Sequence, residues 1–452
     1  MDNNNSKNIT VTYGDEEIRE ADTQLVTLPH PLRLLEHSAK MERDFDLPFV
    51  SVCVCMKNAA LFIDETLLSV VQQSYRGPIE LSIYDDLSTD TSVDIIQSWS
   101  DVFARYQVLL LVTSPIKPPI IYHHNITYYM NHCQGLLNQQ QQLVVDESLK
   151  INSKGVGYSR NRAIQSSHGD YLCILDADDI MLRERIELQL QRCIELEKQG
   201  IQHTIVGSQF MRIPTGSSSR YTDWCNRLSE EDLLLHQYRE CTLIQPTWFM
   251  NRKVYELNGP FAEPTRETLD RLYKIQIQEP GGGQSPPLPE PGEKKQPIPE
   301  DLLFFHKHLD NKGKITKVDK PLLIYRYHPD NLSKQIHRLV LLKVRLEHLE
   351  RRVLNNWSSF SIWGVGRDGK KFFTMLSKEN KDKVVSFCDV DVKKIGTTHH
   401  CSLTGHNVPI IHWSQVKPPI ILCVSIDRTN SEFENNLKSL NLVDGVDYWQ
   451  FN

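Results

Sequence analysis

The stretch Tyr171-Leu-Cys-Ile-Leu-Asp176-Ala-Asp178-Asp179 decides the reading of this chain. Its apolar start is too short for an ordinary helix and fits a strand buried on both faces. The two carboxylates that follow at i and i+2 point to the same side of an extended chain. Hard cations such as Mg²⁺ or Mn²⁺ take such oxygens and leave other positions to substrate phosphates. Open α/β sheets bind ligands at the carboxyl ends of their strands. An acidic surface turn would carry the same letters, so the flanking sequence has to decide.

Upstream, Val50-Ser-Val-Cys-Val-Cys55 reads as a buried strand, and Leu61, Leu67, Leu68 and Val71 follow helical spacing. Ile79–Tyr84 is a second strand. It closes in Asp85-Asp86-Leu-Ser88-Thr-Asp90, which is rich in helix-capping residues and precedes Ile95, Ile96 and Trp99. Strand, helix, strand, helix on short links predicts an α/β fold with a mostly parallel central sheet. The acidic turn after the third strand then sits at a ligand edge. Pro115, Pro118, Pro119 and the run Gln139–Gln142 mark a surface insertion over about residues 113–153, and a second lies near 265–297. Residues 1–47 read as a loose tail, 48–335 as the main domain, 336–354 as a linker helix and 355–452 as a small module.

A length of 452 residues with 40% hydrophobic and 24% charged side chains suits two folded domains. The net charge of −6 argues against coating nucleic acid through bulk charge but leaves room for a local basic face. No apolar run reaches membrane-spanning length, and the polar start Met-Asp-Asn-Asn-Asn-Ser-Lys has no signal-peptide core. The cytoplasm is the expected compartment, with no membrane partner. The ten cysteines are scattered and read as free thiols, with Cys53 and Cys55 alternating on a strand as a possible metal pair.

The polar residues fall into a set that moving a sugar from a nucleoside diphosphate would need. Asp176 and Asp178 are candidate metal ligands. Asp86 offers a carboxylate to the imide N–H of a uracil, while Asn58 lines the nucleoside pocket; Ser88 and Asp90 are read as caps. Arg160, in Gly155-Val-Gly-Tyr-Ser-Arg-Asn-Arg-Ala163, reaches the diphosphate or organises the acids; a surface helix would also carry it. In Pro299-Glu-Asp-Leu-Leu-Phe-Phe305, Asp301 is the first candidate general base and Glu300 the second, with helix capping as the alternative. His328, in Leu323-Ile-Tyr-Arg-Tyr-His-Pro329, is a third metal ligand or a phosphate contact, and Trp248, in Pro246-Thr-Trp-Phe249, a stacking platform for donor sugar or base.

In this order, over about residues 48–335, these motifs resemble the family 2 glycosyltransferases of the GT-A fold. The resemblance implies an inverting displacement at the anomeric carbon, with a metal on the diphosphate. Cys55 stands where many members have proline. The stretch Val384-Val-Ser-Phe-Cys-Asp-Val-Asp391 extends a narrower likeness, to the tRNA-queuosine galactosyltransferases, into the C-terminal module. That likeness implies UDP-galactose as donor and queuosine in a tRNA anticodon as acceptor. UDP-N-acetylglucosamine as donor, a protein or glycan acceptor, and an inactive sugar-nucleotide or RNA-binding module stay open. Oligomeric state is not legible.

Phe360-Ser-Ile-Trp-Gly364-Val-Gly366-Arg-Asp-Gly369 is a strand followed by G-x-G-x-x-G, and Val384–Cys388 ends at Asp389, about where the dinucleotide pattern places its acid. This predicts a Rossmann-like module. Its short span and few further strands favour a scaffold without cofactor; a bound nucleotide would place its phosphates over Gly366. Residues 334–378 hold ten basic against three acidic side chains. Lys343, Arg345, Arg351 and Arg352 are candidate tRNA phosphate contacts, or simply a solvated helix face.

Overall fold

Continuous runs of branched and aromatic residues make the strands that carry the site. The computed structural model describes residues 42–115, 120–122, 153–274, 297–329, 331–401, 405–424 and 430–451. Most of the expected tail, the glutamine run and the bulk of both insertions lie outside the described residues.

The first sheet contains β1 (Val50–Met56), β2 (Ile79–Asp85), β3 (Val108–Thr113), β4 (Ile120–Tyr122), β5 (Tyr171–Asp176), β6 (Ile180–Met181), β7 (Thr204–Ile213), β8 (Phe249–Asn251) and β9 (Lys314–Arg326). Their order is β4-β3-β2-β1-β5-β8-β7-β9-β6. The central set β3-β2-β1-β5 is parallel. Helix α1 (Ile63–Val71) makes the crossover from β1 to β2, residues 92–105 make the one from β2 to β3, α2 (Val156–Gln165) leads into β5, and α3 (Arg185–Lys198) joins β6 to β7. Register matters more than strand count for the site. Cys55 pairs with both Tyr84 and Asp176, so β1, β2 and β5 finish level and their turns share one edge. On the far side β9 pairs with β6 through Ile180–Ile324, which brings the chain after Arg326 back to the turn after Asp176.

Residues 266–273, inside the expected second insertion, form helix α4 (Arg266–Tyr273). Helix α5 (Glu300–Asp310) follows the undescribed stretch, and α6 (Arg338–Arg352) occupies the expected linker. That linker is a packed element: Leu339, Val340, Leu346 and Leu349 share one core with Leu272 and Tyr273 of α4 and with Phe360 and Phe387 beyond.

The C-terminal sheet contains β10 (Phe360–Trp363), β11 (Val384–Asp389), β12 (Thr398–His400), β13 (Asn407–His412), β14 (Ile420–Leu422) and β15 (Tyr448–Gln450). Its order is β12-β13-β11-β10-β14-β15, parallel except at β12. The expectation of few further strands is therefore corrected. Three of the extra strands are only three residues long, too short for any apolar period to show in sequence. Among the described residues no helix is long and apolar enough to cross a membrane.

Candidate active site

The level ends of β1, β2 and β5 bring the predicted side chains into one cleft. Asn58 adopts φ 52°, in the left-handed region that asparagine tolerates. Its Oδ1 accepts the Thr89 N–H at 2.8 Å, and its own N–H donates to Ser88 Oγ at 2.8 Å. Asp90 accepts the Ala60 N–H at 3.0 Å. The turn after β2 is thus locked to the turn after β1. The buried Asp86 carboxylate accepts the backbone N–H groups of Lys154 at 3.1 Å and Gly155 at 3.2 Å, together with the Ser153 hydroxyl. It anchors the approach to α2, and these bonds take three of its about four acceptor sites.

Arg160 is the hub. It projects from α2, is 2% exposed, and donates from Nη2 to Asp176 Oδ1 at 2.7 Å and from Nη1 to Glu300 Oε1 at 3.3 Å. Its guanidinium lies over the Phe261 ring at 5.6 Å. The helix comes this close because Gly157 lacks a side chain; a Cβ there would stand 2.0 Å from the Ala262 carbonyl oxygen. A fixed planar donor between two carboxylates suits arginine and not lysine.

One oxygen each from Asp176, Asp178 and Asp179 lies within 4.8 Å of the others. Asp176 and Asp178 stay partly open to solvent, with side chains 30% and 25% exposed. Asp179 turns inward: Oδ1 accepts the Arg326 N–H at 2.8 Å, and the buried Oδ2 has no partner. Asp178 Oδ2 is 2.8 Å from His328 Nε2, and the imidazole stacks on Phe62 at 5.2 Å. Burial and the Asp176 charge push the Asp178 carboxyl up, against the pull of His328. Burial, then Asp178 and Asp176, push Asp179 well up. Crowded carboxylates with an adjacent imidazole fit a divalent cation, whose charge would relieve the repulsion. Mn²⁺ and Mg²⁺ suit the oxygens. Cys53 and Cys55 belong to no group of three or more potential metal ligands among the described residues, and burial pushes both thiols up to about 12.

Glu300 and Asp301 open α5 beside Arg160. Burial, followed by the Asp301 charge, pushes Glu300 up to about 8 while Arg160 pulls it back. Asp301 is pushed up too, first by burial, although its Oδ1 accepts the Leu302 N–H at 2.7 Å. Trp248 corrects another expectation. It is 1% exposed, donates Nε1–H to the Leu243 carbonyl at 2.9 Å and packs on Phe261, Phe304 and Phe305, leaving no face for a sugar or base.

Sequence reasoning missed Arg326, Glu65 and Phe62. Arg326 Nε donates to the Asp178 carbonyl at 2.9 Å, and its guanidinium pairs with Glu65 and lies over Phe62 at 5.0 Å. Its position two residues before His328 was the available signal; Glu65 and Phe62 carry none.

Residues 51–115 and 133–257 match the family model described as Glycosyl transferase family 2. The chain is similar to an uncharacterised glycosyltransferase of Haemophilus influenzae, 25% identical over 145 residues, covering 32% of this chain and 42% of that protein. It is similar also to the teichuronic acid biosynthesis glycosyltransferase TuaG of Bacillus subtilis, 26% identical over 148 residues, 33% of this chain and 43% of that one. The chain thus spans less than half the length of these curated relatives. Among solved structures, S. aureus TarS 1–349 in complex with UDP-GlcNAc aligns with a TM-score of 0.42 at 15% identity, over 75% of this chain and 84% of that one. Glu300, Asp301, Arg326 and His328 lie beyond the matched residues and are brought to them by the fold.

The basic residues divide. Arg345 is buried, pairs with Glu240 and donates to the Arg239 carbonyl at 3.0 Å, so it leaves the surface that was expected to meet phosphate. Lys343 donates to the Arg271 carbonyl. Arg351 and Arg352, 55% and 47% exposed, flank Asp310.

Proposed function

We propose that the chain is an inverting, metal-dependent hexosyltransferase that moves galactose from UDP-galactose to queuosine in a tRNA anticodon. The observation that carries the transferase reading is the Arg160 bridge, which joins the carboxylates suited to a metal with the pair suited to a base. Asp176 and Asp178, with His328 beside them, would hold Mn²⁺ or Mg²⁺, which supplies neutralising charge to the leaving diphosphate. Arg160 holds Asp176 and Glu300 in fixed orientation, and Arg326 holds the Asp178 backbone. Asp301 takes the proton of the acceptor hydroxyl. The freed oxygen attacks the anomeric carbon, and the bond to the diphosphate oxygen breaks with its electron pair, leaving UDP and an inverted product. Glu300, held on Arg160, takes a positioning role.

The galactose and queuosine parts rest on the narrower sequence likeness. The decisive assay offers labelled UDP-galactose, UDP-N-acetylglucosamine and GDP-mannose in parallel to queuosine-containing tRNA with Mn²⁺ or Mg²⁺. Galactose incorporation that is lost with EDTA and absent from tRNA lacking queuosine is the expected result. Incorporation into unmodified tRNA, or from another donor alone, would refute that specificity. Reversing the charge at Arg351 and Arg352 should weaken tRNA binding and flatten its salt dependence while sparing donor hydrolysis; unchanged binding would take the basic surface out of the reading.

A further inference from the structure

The C-terminal sheet carries its own reversal of strand order. From β10 the chain goes to β11 and β13 on one side, then returns to β14 and β15 on the other, all parallel. Such a reversal opens a crevice at the carboxyl ends of the two central strands. A cavity of about 270 Å³ lies there, with Gly364 and Gly366 in its lining and the charges of Asp389 and Lys394, of Arg367 and Asp368 at the start of the next helix, and of Glu432 around it. The transferase reading makes no use of it.

The three glycines at its mouth are there for different reasons. Gly364 has φ +107°, and a Cβ would stand 3.1 Å from the Cys423 carbonyl oxygen. A Cβ on Gly369 would stand 1.8 Å from the Gly364 carbonyl oxygen, so helix α7 (Arg367–Met375) could not lie so near β10. The fold itself requires these two. Gly366 has φ −75° and ψ −168°, open to any residue, and a Cβ there meets nothing within 4 Å. Among the described residues no contact accounts for a glycine at 366. A phosphate approaching the N–H groups that open α7 would.

Asp389 closes β11 and reaches the same loop. Its Oδ2 accepts the Val365 N–H at 3.0 Å and its Oδ1 the Asp391 N–H at 3.0 Å, which fixes the carboxylate and leaves lone pairs for further donors. Lys394 Nζ stands 3.4 Å from Oδ2 and adds a cation to the rim. Val390, 45% exposed, offers apolar surface beside the carboxylate.

We infer that this cleft binds a ribonucleoside 5′-phosphate, with its phosphate over Gly366 and the start of α7 and its ribose hydroxyls on Asp389. Ligand pockets run from about 300 to 1,000 Å³, so a cavity just below that range favours a mononucleotide over a dinucleotide.

The test uses the full chain with Asp178→Asn, in EDTA, so that metal-dependent donor binding does not contribute. Calorimetric titration with AMP and with UMP should show one nucleotide saturating a single site below about 1 mM. The 2′,3′-dideoxy form should bind about tenfold more weakly or worse, because it leaves Asp389 without its partners. Adding Gly366→Val should cut affinity by at least about tenfold through steric block of the phosphate, with the melting temperature unchanged. Photolabelling of the unmutated protein with 8-azido-AMP, mapped by mass spectrometry, places the site without relying on a variant. Label on the Gly364–Lys370 or Asp389–Lys394 peptides is expected. Saturation by neither nucleotide, binding that survives Gly366→Val, or label confined to the cleft at Asp176 would overturn the assignment.

Discussion

The molecule holds two clefts at the carboxyl ends of parallel strands, and they differ in how their charges are held. At β1, β2 and β5 the lining is carboxylate, imidazole and a buried guanidinium, all tied to one another. At β10 and β14 it is glycine backbone, the carboxylates Asp368, Asp389 and Glu432, and the cations Arg367 and Lys394. The same strand geometry positions both, so the sheet supplies the place and the turn residues supply the function. The first cleft crowds its carboxylates against the Arg160 bridge and His328. The second presents the glycine loop and the start of α7 beside a carboxylate held by the backbone. Each cleft should therefore fail in its own way.

The largest effect is expected at Asp178. Asp178→Asn should abolish metal-dependent transfer and leave the C-terminal cleft's nucleotide binding as it was. Metal-dependent turnover surviving in this variant would remove the metal assignment. Next comes the base. Asp301→Asn should lower kcat by about 10²–10⁴-fold with donor KM largely spared, and Glu300→Gln should cost less. The reverse ranking would swap the two roles.

Arg160 tests how tightly the first cleft is balanced. Removing one partner of a buried ion pair leaves an uncompensated charge and costs about 3–5 kcal/mol. Arg160→Met should lower the denaturant midpoint accordingly, while Arg160→Lys keeps the charge but loses the double contact and should recover only part. Equal stability of Arg160→Met and the parent would show that Asp176 and Glu300 relax into solvent.

Much of the first cleft was legible, and for a physical reason. Tyr171–Asp179, Val50–Cys55 and Ile79–Asp90 join a strand to its turn within a few residues, so pattern and chemistry appear together. What stayed hidden depends on partners far away in sequence. Trp248 is buried by Phe261, Phe304 and Phe305, and Asp86 is engaged by the 153–155 backbone. Arg345 is neutralised by Glu240. A lone residue type does not reveal such contacts. In the second cleft the glycine spacing was legible, but the strands that make it a crevice were too short to register.

Between the two clefts α5 and α6 meet through a stacked histidine pair, His306 and His348, with ring centroids 4.0 Å apart and planes 8° apart. Burial holds both neutral: His348 is lowered to about 4 and His306 falls well below its usual range. Arg345 and Arg351 reinforce the shift on His306, Arg351 and Arg352 that on His348, and Asp310, 3.1 Å from His348 Nε2, opposes it. Because the folded pKa lies below the unfolded value of about 6.5, the unfolded chain binds more protons in between. Stability is then fully present above about pH 6.5 and falls as the pH drops towards 4, by about 1.4 kcal/mol per pH unit for each histidine. Urea midpoints measured at about pH 7.5 and about pH 5 should differ by that slope, and His348→Phe should flatten it. If acid instead melts the C-terminal sheet first, with tryptophan fluorescence and far-UV dichroism no longer coincident, the pair is a seam between two folding units. A single coincident transition would mean that α6 joins both clefts into one cooperative body.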